Sequence, residues 1–568
     1  MRVSPVAVAS QAEIQKSVRA ALKEGRHDEA KVTLAAALDR WPDAYWMLML
    51  HAEVLKASGD LAEALAQLRA IHERFPDKHW AAQGVIRLLF EEDRQAEARA
   101  FFENAVWTST VPDETKSQMI TALSPRRGNL DETIAFLGRL LFASPGSPAV
   151  LTRLAMIRAR QGLWDEAVSL LDEIAARGPV PEHARAIQAD LLSGFGRFPE
   201  MLVIARELAA AHPHRVDYTH RVILALSGSG DHQEAAQVLK DAAARWPGDW
   251  RVLFRLNRIV PVQPLWDEAF AIIEASFNPA TTYARSLFQF AVASLRQGKT
   301  EQSLIALDAI AQRGLASTHA DPLQHVLGRF SPEEWRARMR LADDQTAEVQ
   351  IVGVEGADTT IVIFGGIDFG LSSLPFGYVD ALLSSYRANV VYLRDFAFRA
   401  YFEGISSLAP TAEQTLDRLR EILERLGTRR LITIGYSVGG FAAIRYGAQL
   451  GAQAAISFGA PTTLEEEFEA DSKPGVGYRP KALKRALSFR LTDETKDLVK
   501  DLAGTSTRVF CHYAAQYPAE VAHSNRLRDL DNVELRPLNI SDHSVAMRAI
   551  ADGILDRLLV EEIGVPVK

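Results

Sequence analysis

Three kinds of residue recur through the first three hundred positions at one period, which restricts that half of the chain to a stack of near-identical units. Gly25, Gly59, Gly128, Gly162, Gly196, Gly230 and Gly298 share one phase, most of them 34 residues apart. Glu29-Ala30, Glu63-Ala64, Glu97-Ala98, Glu132-Thr133, Glu166-Ala167, Glu234-Ala235 and Glu268-Ala269 share a second. Pro42, Pro76, Pro145, Pro179, Pro213 and Pro247 share a third. Each mark has a physical role. Glycine ends one helix and allows a tight turn into the next. The small alanine lets two helices cross closely. Proline ends the second helix because it cannot continue the hydrogen-bond ladder. Between the marks, apolar residues fall at helical spacing, as in Ala64, Leu65, Leu68 and Ile71. The period predicts about nine units between Ala12 and Ile310. Some are degenerate: Asp93 occupies the glycine phase, Met201 the alanine phase, and Pro261 with Pro264 shortens the first helix of the eighth unit.

This array resembles the tetratricopeptide repeat. The resemblance implies an all-α superhelix whose concave side takes a protein or peptide partner. Trp46, Trp80, Arg153, Arg185, Tyr218 and Arg221 lie on the predicted first helices, which the resemblance places on that side. Each of them singly also reads as packing or solvated surface. Leu315–Gln345 reads as a capping helix pair, with Ser331-Pro332-Glu333-Glu334 as a helix start.

From about Glu348 the period changes. Thr359–Phe364, Asn389–Leu393, Leu431–Ile434, Ala454–Phe458, Arg508–Tyr513 and Val533–Leu538 are short apolar runs rich in β-branched residues. Helical patterns such as Thr411–Leu426 separate them. Strands alternating with helices predict a mainly parallel sheet covered on both faces. The expected organisation is therefore two domains, an all-α array over 1–345 and an α/β domain over 346–568. A length of 568 residues agrees with more than one core. The net charge of −8 argues against a general nucleic-acid binder. One cysteine, Cys511, excludes an internal disulfide and fits a reducing compartment. The start, MRVSPVAVASQAE, has too short an apolar run for a signal peptide, and no run of about 18 apolar residues marks a membrane span. The expected location is cytoplasmic. No His, Cys and Asp cluster has ligand spacing, so neither metal nor cofactor is expected.

Leu431–Gly440, LITIGYSVGG, is a strand that runs into Gly435-Tyr436-Ser437-Val438-Gly439. This is the G-x-S-x-G pattern of a nucleophile elbow, and FAAIRYGAQLG follows it with helical periodicity. Neighbouring glycines are needed because a Cβ would collide with so sharp a turn. Without chemistry, the same stretch is a plain strand–turn–helix crossover with an incidental serine. His543 follows the last apolar run, again at a strand's carboxyl end, where reacting groups gather in open α/β sheets. It reads either as a base or as a helix-start histidine beside Asp542.

The order serine, acid, histidine and the elbow resemble the α/β-hydrolase family, from Thr359 to the C-terminus. The resemblance implies that His543 takes the proton of Ser437 and that an acid orients His543. The usual acid position holds Gln516, which carries no charge. Glu520 is the next carboxylate. FGGIDFG, GYSVGGFAA and the loop from Leu393 to Gly404 are similar to a bacterial subgroup of hydrolase-like domains, in which a residue three before a later histidine fills the acid slot. Here that residue is Glu520, before His523. Glu520 also reads as a solvated first-turn glutamate, and Asp542 is a weaker candidate for the acid. The resemblance places the oxyanion hole at the backbone of Val438 and Ile367, with Gly365 and Gly366 permitting close approach. Arg394 and Tyr436 are candidate substrate contacts; Arg394 reads equally as an ion-pair partner of Asp395 or Glu403. Residues 464–503 occupy the position of a lid. The expected function is a serine acyl-hydrolase or acyltransferase acting on an acyl-bearing substrate. A scaffold with a degenerate hydrolase domain is the alternative, supported by Gln516, and a serine peptidase is a third reading.

Overall fold

The computed structural model describes residues 10–124, 130–161, 163–178, 180–194, 196–315, 317–463 and 497–568. They form two compact units, Met1–Ala184 and Arg185–Lys568. The change from helices to strands expected at residue 345 does not coincide with that division, which falls inside the repeat array.

The first unit is built of helix pairs such as Gln11–Lys23 with His27–Arg40, and Tyr45–Ala57 with Leu61–Arg74. Gly25 and Gly59 join the two helices of a pair with φ of +71° and +86°, a conformation that costs glycine nothing. Asp93 does the same with φ +56°; aspartate is among the few non-glycine residues that tolerate it. That is why the third unit survives without its glycine. Ala30, Ala64, Ala98 and Ala167 are fully buried, where paired helices meet.

The second unit continues the array through Phe198–Ala211, Val216–Ser229 and His232–Arg245. The helix Trp250–Leu256 stops after seven residues, ahead of Pro261 and Pro264. Ala284–Arg296, Thr300–Gln312, Ala320–Leu327 and Pro332–Arg338 complete the helical part. Ser331 caps the last of these with a reciprocal bond to Glu334.

These closing helices share one apolar core with a seven-stranded sheet. Leu287, Leu307, Leu323 and Trp335 pack in the same cluster as Ile361, Tyr378, Val390 and Ile434. That continuity explains why the array and the sheet belong to one compact unit. The strands are β1 (Val349–Val352), β2 (Thr359–Phe364), β3 (Asn389–Leu393), β4 (Arg430–Tyr436), β5 (Ala454–Phe458), β6 (Arg508–Ala514) and β7 (Val533–Leu538). Their order is β1-β3-β2-β4-β5-β6-β7. Only β1 is antiparallel. This is the α/β-hydrolase arrangement. β1 has no counterpart among the apolar runs of the sequence, because it is a four-residue edge strand with only Val352 buried. Register places Phe364 beside Gly435 and Gly435 beside Ser457, so the carboxyl ends of β2, β4 and β5 form one rim.

His512, on β6, is 1% exposed and lies 5.0 Å from the ring of Phe458. Burial, joined by repulsion from Arg536, lowers its pKa to about 4. Below pH 6.5 the unfolded chain takes up a proton that the folded imidazole refuses. Stability is therefore complete above that pH and falls as the pH drops toward 4, by roughly 3 kcal/mol at pH 4 from this residue. His512→Leu is expected to reduce the difference in urea stability between pH 7 and pH 4 by that amount.

Candidate active site

The elbow is strained in the way its glycines anticipate. Ser437 stands between β4 and the helix Val438–Leu450 with φ +54° and ψ −125°, a conformation that side chains rarely adopt. A Cβ on Gly435 would lie 2.0 Å from Gly439 O, and one on Gly439 would lie 2.3 Å from Phe364 O. The turn therefore closes only with glycine at both positions. Ser437 N–H donates to Phe458 O at 2.9 Å, which ties the elbow to the end of β5.

His543 follows β7. Its Nδ1 lies 2.5 Å from Glu520 Oε1, and Glu520 Oε2 accepts Ala514 N–H at 2.8 Å. Glu520 is 4% exposed, in the first turn of the helix Pro518–Asn525. Its two oxygens thus bridge the end of β6 to the histidine. Gln516 turns elsewhere: its Nε2 donates to Asn539 Oδ1 at 2.7 Å. Asp542 is bonded elsewhere: its Oδ1 accepts Ser544 N–H at 2.9 Å. Burial acts to raise its carboxyl, and hydrogen bonds from Ser544 and Thr318 outweigh burial and hold it below its ordinary value. Tyr436 lies against His543 with ring centres 4.9 Å apart and planes tilted by 34°, and its hydroxyl donates to His543 O at 2.8 Å. Burial raises the pKa of that phenol and keeps it a donor. Gly459, which the sequence does not single out, gives way to the pair. A Cβ there would meet His543 Cε1 at 2.9 Å and Glu520 Oε1 at 3.1 Å.

Ser437, His543 and Glu520 line one cavity of about 1010 Å³, together with Ile367, Val438 and Tyr436. Among the described residues, no backbone acceptor takes the N–H of Ile367 or of Val438. Gly366 is different: its N–H is spent on Gly370 O at 2.9 Å. It therefore serves as a spacer, where a Cβ would press on Tyr436 at 3.1 Å, rather than as a donor. Asp368, on the same loop, accepts Ser373 N–H through Oδ2 at 2.8 Å. His523 ties the loop after β5 to its own helix. Its Nδ1 accepts Thr462 N–H at 3.1 Å, and its carbonyl accepts the Thr462 hydroxyl at 2.7 Å.

Arg394 corrects an expectation. It is 1% exposed and does not line the cavity. Its guanidinium donates to Phe369 O, Asp344 O, Ala347 O and Asp343 Oδ1, over the ring of Phe376. It is a clamp between the linker and the sheet, and its ion-pair partner is neither Asp395 nor Glu403. Of the expected lid, 464–496 lies outside the described residues; Leu498–Leu502 is a short helix capped by Asp497.

The repeat-side candidates also divide. Tyr218 is buried, Arg153 is buried and donates to Ser124 O, Arg185 pairs with Glu207, and Arg221 pairs with Asp190 and Asp217. Trp46 and Trp80 stay exposed, their rings 6.5 Å apart. The sequence pattern does not reveal the other wall of the cavity, which comes from Phe254, Arg258, Arg285 and Phe288 of the array and from His319 of the capping segment. Burial lowers the pKa of His319, with the attraction of Asp542 opposed by His543 and Arg258. Among the described residues, no group of three His, Cys, Asp or Glu side chains could hold a metal ion, and no helix is long and apolar enough to cross a membrane.

Several known proteins are similar to parts of this chain. Residues 21–86 and 126–191 match a tetratricopeptide repeat family model. The chain is 29% identical over 244 residues to the cellulose synthase operon protein C of Xanthomonas axonopodis pv. citri, over 40% of this chain. The chain spans 14% and 16% of the lengths of the curated relatives it matches. A tetratricopeptide repeat protein from Parabacteroides merdae aligns over 56% of this chain and 98% of its own, at 13% identity and a TM-score of 0.27. A fluorophosphonate-binding serine hydrolase from Staphylococcus aureus aligns over 36% of this chain and 90% of its own, at 14% identity and a TM-score of 0.27. Tetratricopeptide repeats are thus matched at 21–86 and 126–191 in the N-terminal half, while the α/β-hydrolase arrangement of the C-terminal portion stands on its own sheet order.

Proposed function

We propose that this protein is a serine acyl-hydrolase or acyltransferase acting on an ester or thioester. The observation that carries this reading is that a strained serine and a histidine held by a buried carboxylate line one cavity, with Val438 and Ile367 beside them. Ser437 Oγ attacks the acyl carbonyl and gives its proton to His543. Glu520 orients the imidazole and stabilises its protonated form. The N–H groups of Val438 and Ile367 stabilise the oxyanion. Collapse breaks the bond to the leaving group, which takes the proton back from His543. Water or an acceptor hydroxyl then attacks the acyl-serine by the same path in reverse. The repeats of the first unit recruit a protein or peptide partner, with the exposed Trp46 and Trp80 as contacts.

The test is labelling with a fluorophosphonate probe. Wild type is expected to label, and Ser437→Ala and His543→Ala to lose the label while remaining folded by circular dichroism. Folded wild type that fails to label, and turns over no ester in a panel of acyl chain lengths, would favour the scaffold reading instead.

A further inference from the structure

One phenol joins the two loops on which the reaction centre depends. Tyr436 ends β4, directly before Ser437. Its ring touches both loops. A Cβ on Gly366 would lie 3.1 Å from Tyr436 Cδ1, and the centre of the His543 imidazole lies 4.9 Å from that of the phenol. The hydroxyl is engaged in both directions. It donates to His543 O at 2.8 Å and accepts a hydrogen bond from the Ser372 hydroxyl. Its one proton is therefore spent, and it has no donor left for a substrate, the role expected of Tyr436 from the sequence. Ser372 belongs to the loop after β2, which also carries Ile367. Phe369, Ser372 and Ser373 of that loop have φ of +61°, +54° and +73°. Residues other than glycine keep such angles only where surrounding contacts hold them. Gly366 N–H to Gly370 O at 2.9 Å and Ser373 N–H to Asp368 Oδ2 at 2.8 Å tie the loop to itself. The bond from Ser372 to Tyr436 ties it to the elbow, and the bond from Tyr436 to His543 extends that tie to the loop after β7.

We infer that Tyr436 is a positioning residue: its hydroxyl fixes the main chain that carries His543 and, through Ser372, the loop that presents the Ile367 N–H. The inference rests on the serine-hydrolase reading for the reaction it serves. Tyr436 acts through His543 and Ile367 rather than on the substrate. Proton transfer from Ser437 and stabilisation of the oxyanion need both groups in place at the same moment. Glu520 holds the imidazole through Nδ1 alone, which leaves ring and main chain free to shift together. A second bond, on the main chain of the same residue, removes that freedom.

Tyr436→Phe keeps the ring against Gly366 and His543 and removes only the hydroxyl. On the best ester of the panel, kcat is expected to fall about 10- to 100-fold, with KM within about twofold of wild type. The fluorophosphonate labelling rate should fall with kcat, in a protein whose circular dichroism matches wild type. Ser372→Ala is expected to lose about tenfold. The double variant should lose no more than Tyr436→Phe alone, because one chain of bonds cannot be broken twice; two unrelated structural defects would instead multiply. The direct signature is the low-field proton resonance of His543 Nδ1–H held by Glu520. It is expected in wild type, absent in His543→Ala, and shifted or broadened in Tyr436→Phe. A kcat in Tyr436→Phe within about twofold of wild type, losses that multiply in the double variant, or a resonance that Tyr436→Phe leaves unchanged overturns the inference. If Tyr436→Phe does not fold, the same resonance in Ser372→Ala decides. The resonance also separates this inference from the hydrolase reading. In a folded wild type that neither labels nor turns over any ester, the hydrolase fails; a resonance disturbed by Tyr436→Phe then keeps the positioning of His543, and one undisturbed, or missing from wild type, discards it. Turnover that Ser437→Ala abolishes and Tyr436→Phe leaves intact keeps the hydrolase and discards the positioning role.

Discussion

Glu520→Gln is expected to lower kcat by about 10⁴-fold while leaving the fold intact. Glutamine keeps the shape of the side chain, and its carbonyl oxygen can still accept Ala514 N–H, the bond that Glu520 Oε2 makes at 2.8 Å. Its amide would then face His543 Nδ1 as a donor. Nδ1 would have to accept, which moves the ring proton to Nε2, the nitrogen that must be free to take the serine proton. The amide also carries no charge to stabilise the imidazolium. Steady-state kinetics on the best ester of the panel, with a thermal melt alongside, make the measurement. A folded Glu520→Gln protein whose kcat and fluorophosphonate labelling rate stay within a few-fold of wild type would remove Glu520 from the mechanism. Asp542→Asn serves as the comparison. Its carboxylate is held by Ser544 and Thr318 rather than by the imidazole, so an effect as large as that of Glu520→Gln would show that the acid had been assigned to the wrong residue.

Much of the local geometry was legible because it depends on local rules. The elbow needs glycine at two fixed positions around Ser437, and the clash distances at Gly435 and Gly439 show why those residues and not others stand there. The strands were legible for the same reason: β2, β3 and β5 are buried on both faces and appear as unbroken apolar runs. β1 was not, because an edge strand of four residues leaves no such run. Arg394 misled because a cation after a strand looks the same in sequence whether it meets a substrate or a linker; only the position of Asp343 and the carbonyls of Asp344 and Ala347 decides between them.

The array wall of the cavity was hidden for a different reason. Nothing in a 34-residue period says what the end of the array packs against. One trace of it is present in the phase. Arg285 precedes Gly298 by the same number of residues that separates Trp46 from Gly59 and Trp80 from Asp93. The position that stays exposed in the first unit is therefore the one that meets the cavity in the second. Conversely, the phase alone overstated Tyr218 and Arg153, which are consumed by packing between neighbouring repeats.

Trp335→Ala is expected to destabilise the second unit by about 3–5 kcal/mol. Trp335 has no exposed surface, and its Nε1–H donates to Leu327 O at 2.8 Å. Its ring lies 5.0 Å from that of Phe330 and 5.4 Å from that of Tyr378, whose hydroxyl bonds Thr300 at 2.7 Å. The residue therefore stands where the last helices of the array, the capping helices and the sheet share one core. Its removal opens a cavity there and also leaves Leu327 O without its partner. Urea unfolding, followed by the loss of fluorophosphonate labelling at Ser437, reads the effect at the site itself. If the array and the sheet fold as one cooperative unit, labelling and the helical signal of residues 185–338 are lost together, at a lower urea concentration than in wild type. A cost below about 1 kcal/mol would mean that the capping helices merely rest on the sheet.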